Sequence, residues 1–448
     1  MSTLRRDISS GHDKSKCLRA IVGLFLILSF AASTFGETRL GGFLEYDNIV
    51  YLKNKTETKA NARNQGILQL ELFHKVHGEA DIFGSVEIRN DQADPGRDRI
   101  YLDEAYINLY KGDFDIRLGK QIFAWGRADG FNPTDNLSAW DFSDALDTED
   151  EKIGIISGQV SFYLGNWTLE GVLVPTFAKS ALPAMDSRWW PEMPASIPNP
   201  AYPERGEPML QARYVNASPV LPDESAKNTQ YAVKASGLTA GWDFSVSWFD
   251  GFDDLPSIHT STVIDSTDTA ASVTFEPRYH RRRAIGADFA TTFGSIGARG
   301  ELAYYLTDDW DGKDPAIDDP YLQYVVGLDY TFRDVMPEKD LFVLLQWVQE
   351  VQVPDRNTVY RITDFNHVYR KTLMSKVDLS LGNYSKLLFQ AVVNFETDDW
   401  WLRPGFEWSV ADGLELDATL DLLDGPGDSF FGLLKDNRRL QLRAKYSF

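Results

Sequence analysis

Leu440-Gln-Leu-Arg-Ala-Lys-Tyr-Ser-Phe448 closes the chain, and apolar and polar side chains alternate through it without a break. Successive side chains of a strand point to opposite faces, so Leu440, Leu442, Ala444, Tyr446 and Phe448 share one face. Arg439, Gln441, Arg443, Lys445 and Ser447 share the other. The segment reads as a strand, and the chain stops inside it on an aromatic residue. The preceding segment has the same build: Leu414, Leu416, Ala418, Leu420 and Leu422 alternate with Glu415, Asp417, Thr419 and Asp421. If the two pair, the acidic face of one meets the basic face of the other, an arrangement that stabilises neighbouring strands.

The opposite end of the chain has a different character. Arg5, Arg6, Lys14, Lys16 and Arg19 precede an apolar run from Ala20 to Ala32, and Thr34-Phe-Gly36 follows with small residues. That is the pattern of a cleaved export signal, residues 1–36, and the run is too short to favour a permanent transmembrane helix. Cys17 lies before the run and leaves with it, so the exported chain carries no thiol and no disulfide. The full chain has 45 basic and 66 acidic residues, and removing the leader leaves a net charge of −24. Such a surface does not suit nucleic acid.

Between the leader and Phe448, strand-like segments of about ten residues recur, and their connections alternate in kind. Tight connections fall at His77-Gly78, Lys111-Gly112-Asp113, Gly165-Asn166, Ala240-Gly241, Gly294-Ser295, Met336-Pro337, Gly382-Asn383 and Asp412-Gly413. Longer polar connections run over 54–64, 90–99, 125–151, 177–228, 253–278, 308–320, 354–371, 397–399 and 424–437. Together they imply about eighteen strands, with both ends of the chain on the side of the short turns. Sixteen is the alternative count, since residues 271–275 could add a strand and the connection at 397–399 is unusually short. A spanning sheet must close, because an open edge would leave backbone groups unpaired in hydrocarbon. The expected fold is all-β: a closed antiparallel transmembrane barrel over residues 37–448. Trp167, Trp242, Trp248, Trp310, Trp400, Trp401 and Trp408 sit near predicted strand ends, as an interfacial girdle requires.

The terminal strand ending in Phe resembles the C-terminal signal of bacterial outer-membrane β-barrels, which the resemblance implies is read through Tyr446 and Phe448 by the barrel-assembly machinery. A second resemblance lies in Gly119-Lys-Gln-Ile-Phe-Ala-Trp-Gly-Arg-Ala-Asp-Gly-Phe-Asn-Pro-Thr-Asp-Asn136. Trp-Gly followed by Asp, Asn-Pro and Asp is similar to a segment of several porin-like families, in which a loop after a comparable strand folds into the pore. The resemblance implies outer-membrane lipid and lipopolysaccharide as surroundings, and it admits a homotrimer as readily as a monomer.

Eighteen strands enclose a lumen too wide for side chains to fill, so function depends on what narrows it. The connection over 125–151 is the candidate constriction, with Arg127 as an anchor and Asp129, Asp135, Asp141, Asp144 and Asp147 facing basic residues on the wall. Candidate luminal wall residues are Arg117, Arg281, Arg282, Arg283, Arg299, Arg439, Arg443 and Lys445, with Glu415, Asp417 and Asp421. Arg281 to Arg283 are consecutive and cannot all face inward. The 177–228 connection, rich in proline and carrying Trp189-Trp190, is expected to cap the mouth or enter the lumen. The acidic run lacks the glycine and spacing of a calcium loop. His74 and His77 fall on opposite faces of a strand, and no Ser/His/acid arrangement stands out. The expectation is a channel for small hydrophilic solutes, with neither cofactor, metal nor catalysis. The alternatives are a selective transporter for a hydrophobic or polymeric solute, with Trp189 and Trp190 in its binding site, or a plugged surface-binding barrel.

Overall fold

The computed structural model describes residues 36–55, 60–76, 78–147, 152–201, 209–267, 269–314, 317–353 and 367–448. The expected export signal up to residue 35, His77 and the acidic residues 149–151 lie outside them. Eighteen strands form one closed antiparallel sheet. In chain order they are β1 (Glu37–Tyr51), β2 (Ala62–Val76), β3 (Ala80–Asp91), β4 (Arg99–Lys111), β5 (Phe114–Gln121) and β6 (Ile155–Leu164). They continue as β7 (Trp167–Val174), β8 (Gln230–Thr239), β9 (Trp242–Phe252), β10 (Arg281–Phe293), β11 (Ile296–Thr307) and β12 (Tyr321–Met336). The last six are β13 (Lys339–Gln352), β14 (Lys371–Ser380), β15 (Ser385–Asn394), β16 (Asp399–Ala411), β17 (Leu414–Asp424) and β18 (Arg439–Ser447). Every strand pairs with its neighbours in sequence, and β18 closes the cylinder on β1 from Phe43 opposite Ser447 to Tyr51 opposite Arg439. The count is eighteen and not sixteen.

Closure extends to the last residue. Phe448 exchanges backbone hydrogen bonds with Gly42, at 3.0 and 3.1 Å. Tyr446 and Phe448 stack at 6.3 Å on the exposed outer face. The eight tight connections join strands at one rim. At one of them, Ala240 and Gly241 both adopt positive φ (49° and 82°), the turn whose twist matches a two-residue hairpin.

Alternation sorts the side chains. Leu40, Leu44, Tyr46 and Val50 of β1, Leu302 of β11, Val326 and Leu328 of β12, and Leu440 and Leu442 of β18 are exposed on the outside. Such a continuous apolar exterior suits lipid, since water would leave its contacts unsatisfied. The luminal partners are polar and buried, including Asp47, Glu87, Arg89, Asp288, Glu301, Asp421 and Arg439. Trp167, Trp242, Trp248, Trp310 and Trp408 are exposed as a girdle requires, but Trp401 is not. It points inward and donates from Nε1 to Asp421 Oδ1 at 2.9 Å. Trp400 and Trp401 are adjacent, so only one of them can face lipid.

The segment over 253–278 contributes strands, though not to the barrel. Residues Ser257–Ile264 and Ala270–Arg278 join Ser196–Pro198 and Met209–Asn216 in a separate four-stranded sheet at the long-loop rim. Ile258, Val273 and Phe275 form its core, with Met185, Trp190, Ile197 and Tyr214 packed on it.

Candidate functional site

The chain leaves β5 at Gln121, turns into the lumen and returns to the wall at β6. The sequence prepares a berth for it. Lumen-facing Ala232, Ala284 and Ala303 are small and fully buried, and they pack with Phe123, Trp125 and Leu137 of the inward loop in one cluster. A Cβ at Gly286 would meet Ser247 and Thr134, so glycine leaves room for the loop there. Small residues on one wall are what allow two aromatic rings to seat against it.

Glu301 of β11 holds the loop's turn. It accepts from the Ala128 amide at 2.6 Å, the Asn132 side-chain amide at 2.8 Å and the Thr134 hydroxyl at 3.0 Å, and also from the Arg127 amide. The turn needs Gly126, whose φ is +100° and whose position a Cβ would share with the Glu301 carboxylate. Arg127 pairs with Asp243 at 2.6 Å and with Asp288. Asp129 pairs with Arg299 at 2.6 Å, and its backbone exchanges hydrogen bonds with the Gln346 side chain at 2.9 and 2.7 Å. Arg299 also binds Asp329 at 2.6 Å.

The far end of the loop docks on the other side of the barrel. Asp144 accepts from Arg63 of β2 at 2.5 Å and from Arg439 of β18 at 2.6 Å, and all three side chains are at least 96% buried. Asp141 pairs with Arg99 at 2.8 Å and Asp147 with Arg97 at 3.4 Å, while Arg403 donates to the Leu146 carbonyl at 2.5 Å. Asp135 pairs within the loop with Lys152. The loop therefore spans the lumen between β11–β13 and β18–β2. Its carboxylates touch the wall arginines directly, so these pairs act as tethers with no water gap between them.

Charge state follows from these contacts. Burial alone would push the Asp144 carboxyl up, but Arg439, Arg63 and Arg97 hold it well below the usual carboxylate range. Asp141, also raised by burial, ends below its ordinary value through the Ser143 hydroxyl, Arg97 and Arg99. Asp135 behaves oppositely: burial outweighs Lys152 and pushes it up to about 6. Asp254, buried beside Asp253, is pushed up to about 6 as well.

A second segment lies above the first. Residues 175–201 and 209–229, between β7 and β8, bridge the mouth. Ala181 exchanges backbone hydrogen bonds with Trp140 and Phe142 at 2.8 Å. Arg188 reaches the opposite rim, donating to the carbonyls of Lys53, Ala60 and Asp436 and lying 4.0 Å from the Tyr51 ring centre. Trp189 packs with Leu146, Trp401, Leu423 and Phe431, whereas Trp190 packs in the outer sheet.

Between the inward loop and the wall of β12–β16 lies a cavity of about 420 Å³. Phe131, Trp140 and Phe142 of the loop line it together with Tyr305, Tyr321, Tyr369, Trp401, Phe430 and Phe431, and Gln323, Gln346, Gln390, Lys376, Arg282, Asp135 and Asp254 are its polar lining. Trp189 and Trp190, the pair expected to bind an apolar solute, do not line it; they hold the cap in place.

The remaining predicted wall residues divide in two. Arg439 and Arg443 meet Asp421 and Asp417 across β17–β18 at 2.8 and 2.7 Å, Lys445 lies 3.5 Å from Glu45, and Glu415 stands opposite Lys445. Arg117 donates to Asn108 at 2.7 Å and covers the Tyr106 ring. Arg281 and Arg283, however, are not luminal. They share the outer parity of exposed Ile285, where both bind Asp250, at 2.6 and 3.1 Å. Arg282 is the inward member, paired with Asp253 at 2.7 Å. The apolar residues Ile285 and Phe293 carry that parity in the sequence. Glu301, Arg63, Arg99 and Arg403 were missed, although Glu301 alternates with Leu302 and so was assignable to the lumen.

A closed eighteen-stranded cylinder with an apolar exterior, a charged interior and a loop folded across its bore defines an outer-membrane β-barrel. The chain belongs to the family described as "Protein of unknown function (DUF1302)", whose model matches residues 37–394. No curated protein matches it. Among solved structures it is similar to a loop L8 deletion mutant of OmpT, an outer membrane protein of Vibrio cholerae. That likeness has 10% identity and a TM-score of 0.42, covering 92% of this chain and 99% of that one. It is also similar to several mutants of the Rh. blastica porin, one of them a triple mutant, at 10% identity and a TM-score of 0.40, covering 92% of this chain and 100% of the other.

Proposed function

We propose that this protein is a solute-selective channel of the outer membrane, passing small molecules that have an apolar, planar body and a polar or anionic end. The observation that carries this reading is the aromatic cavity in the lumen, bounded on one side by the inward loop. Its volume falls within the range of small-molecule sites, which combine apolar walls with a few polar groups. Aromatic rings on both sides suit a planar solute, and Lys376 supplies a cation on the lining. A wide hydrophilic pore fits less well, because ion pairs tether the loop across the bore. The reading requires no catalytic group and no cofactor; transport is downhill.

Proteoliposomes containing the purified barrel test the proposal through influx of benzoate and arabinose. Benzoate influx is expected to saturate with concentration and to exceed that of arabinose. Influx of both solutes in proportion to concentration supports the hydrophilic-channel alternative, and no influx of either supports a plugged barrel.

A further inference from the structure

At the long-loop rim, His259 and His280 bring their Nε2 atoms to 3.4 Å, with ring planes inclined by 34°. Their positions are fixed by backbone pairing. His259 lies on the strand Ser257–Ile264, opposite Glu276 of the neighbouring strand. His280 lies between that neighbouring strand and β10, and its carbonyl accepts from the Asp253 amide at 2.9 Å. Both side chains are half-buried.

The spacing has a chemical meaning. Two imidazole nitrogens bound to one tetrahedral zinc ion at about 2.0–2.1 Å must lie about 3.3–3.4 Å apart. The same distance is long for an N–H···N hydrogen bond between the rings. Burial lowers the affinity of both rings for protons; Arg278 acts in the same direction on His259, while nearby carboxylates partly oppose it. Neutral imidazole is the form that ligates metal. Asp314, on the loop between β11 and β12, acts on both rings, and Asp308 and Asp318 act on His280. Asp309 shapes that loop by accepting from the amides of Lys313 and Asp314 at 2.9 and 3.0 Å.

We propose that His259 and His280 form a two-histidine site for a divalent transition-metal ion of the zinc type at the long-loop rim. Two protein nitrogens leave the other positions to water. The site is separate from the luminal cavity, so it stands or falls independently of the transport reading. Metal bound there would join the outer sheet to the entry of β10.

The test is calorimetric titration of the untagged barrel in detergent with Zn²⁺. Wild type is expected to bind one equivalent, and His259→Gln and His280→Gln each to weaken binding at least tenfold. The far-ultraviolet strand signal of each variant, measured in the same samples, separates loss of ligand from loss of fold. Absence of binding to wild type at millimolar Zn²⁺, or binding by the two folded histidine variants equal to wild type, overturns the site.

Discussion

Replacing Asp144 by Asn is expected to release the far end of the inward loop. The carboxylate accepts at 2.5 Å from Arg63 and at 2.6 Å from Arg439, and all three groups are buried. Removing one partner from a buried ion pair costs about 3–5 kcal/mol, because the remaining charge stays desolvated. Arg63 retains Asp91 at 2.7 Å and Arg439 retains Asp421 at 2.8 Å, which places the loss near the lower limit. About 3 kcal/mol corresponds to roughly a hundredfold shift from the seated toward the released loop. Cys17 is the chain's one cysteine, so Ala145→Cys in a Cys17→Ser background provides a clean reporter beside the latch. Its rate of reaction with a soluble thiol reagent is expected to rise about a hundredfold when Asp144→Asn is added. The sign with pH is also fixed. A carboxyl held below its ordinary value stabilises the seated loop above the unfolded pKa, and that stabilisation is lost only as pH falls through the lowered folded value. In a background carrying Asp135→Asn and Asp254→Asn, the thiol rate, corrected for reagent chemistry, is therefore expected to stay flat from about pH 8 to 5. A change of less than threefold on adding Asp144→Asn would falsify the latch.

Other perturbations address separate parts of the site. Asp135 and Asp254 line the cavity and are pushed up to about 6, so benzoate influx is expected to rise as pH falls from 7 to 5 and both become neutral. Asp135→Asn with Asp254→Asn should flatten that profile, and a pH-independent wild type contradicts the assignment. Between about pH 4 and 6 the folded state binds more protons at these groups than the unfolded chain, so their contribution to stability falls as pH rises. Glu301→Ala leaves several loop donors without their acceptor, at a cost of about 3 kcal/mol or more; trypsin cleavage after Arg127 should accelerate at least tenfold, and an unchanged rate removes Glu301 as the anchor. Gly126→Ala places a Cβ on the Glu301 carboxylate at a backbone angle that disfavours any side chain. It should reproduce the Glu301→Ala cleavage pattern, and a wild-type pattern refutes the turn's geometry.

Period-two alternation is a local property, and the parts of the fold that depend on it were legible. Leu440 to Phe448 announced the final strand, the Glu415–Asp421 face announced its partner, and turn residues such as Ala240-Gly241 marked the connections. Direction across a neighbouring strand is not local. Arg281 and Arg283 look as suited to a lumen as Arg282, and only the outward parity of Ile285 and Phe293 separates them. Trp401 was misplaced for a related reason, since adjacent tryptophans near a rim cannot both belong to the girdle. The inward loop was expected from its resemblance, but its partners come from strands up to 295 positions away in sequence, as with Asp144 and Arg439. The cavity was hidden more deeply. Its rings come from the loop, from β11, β12 and β16, from the segment just before β14, and from the short helix α1 (Phe430–Leu433), and no spacing in the chain announces that they meet.

Single-channel current through the wild-type barrel in a planar bilayer, recorded while benzoate is titrated into the long-loop side, tests most directly whether the aromatic cavity is a station on the transport path. Concentration-dependent block that saturates is expected, and Phe131→Ala or Trp401→Ala should shift that block to at least tenfold higher concentration. A steady current that benzoate leaves unaltered, or a block in both variants identical to wild type, contradicts a station at the cavity.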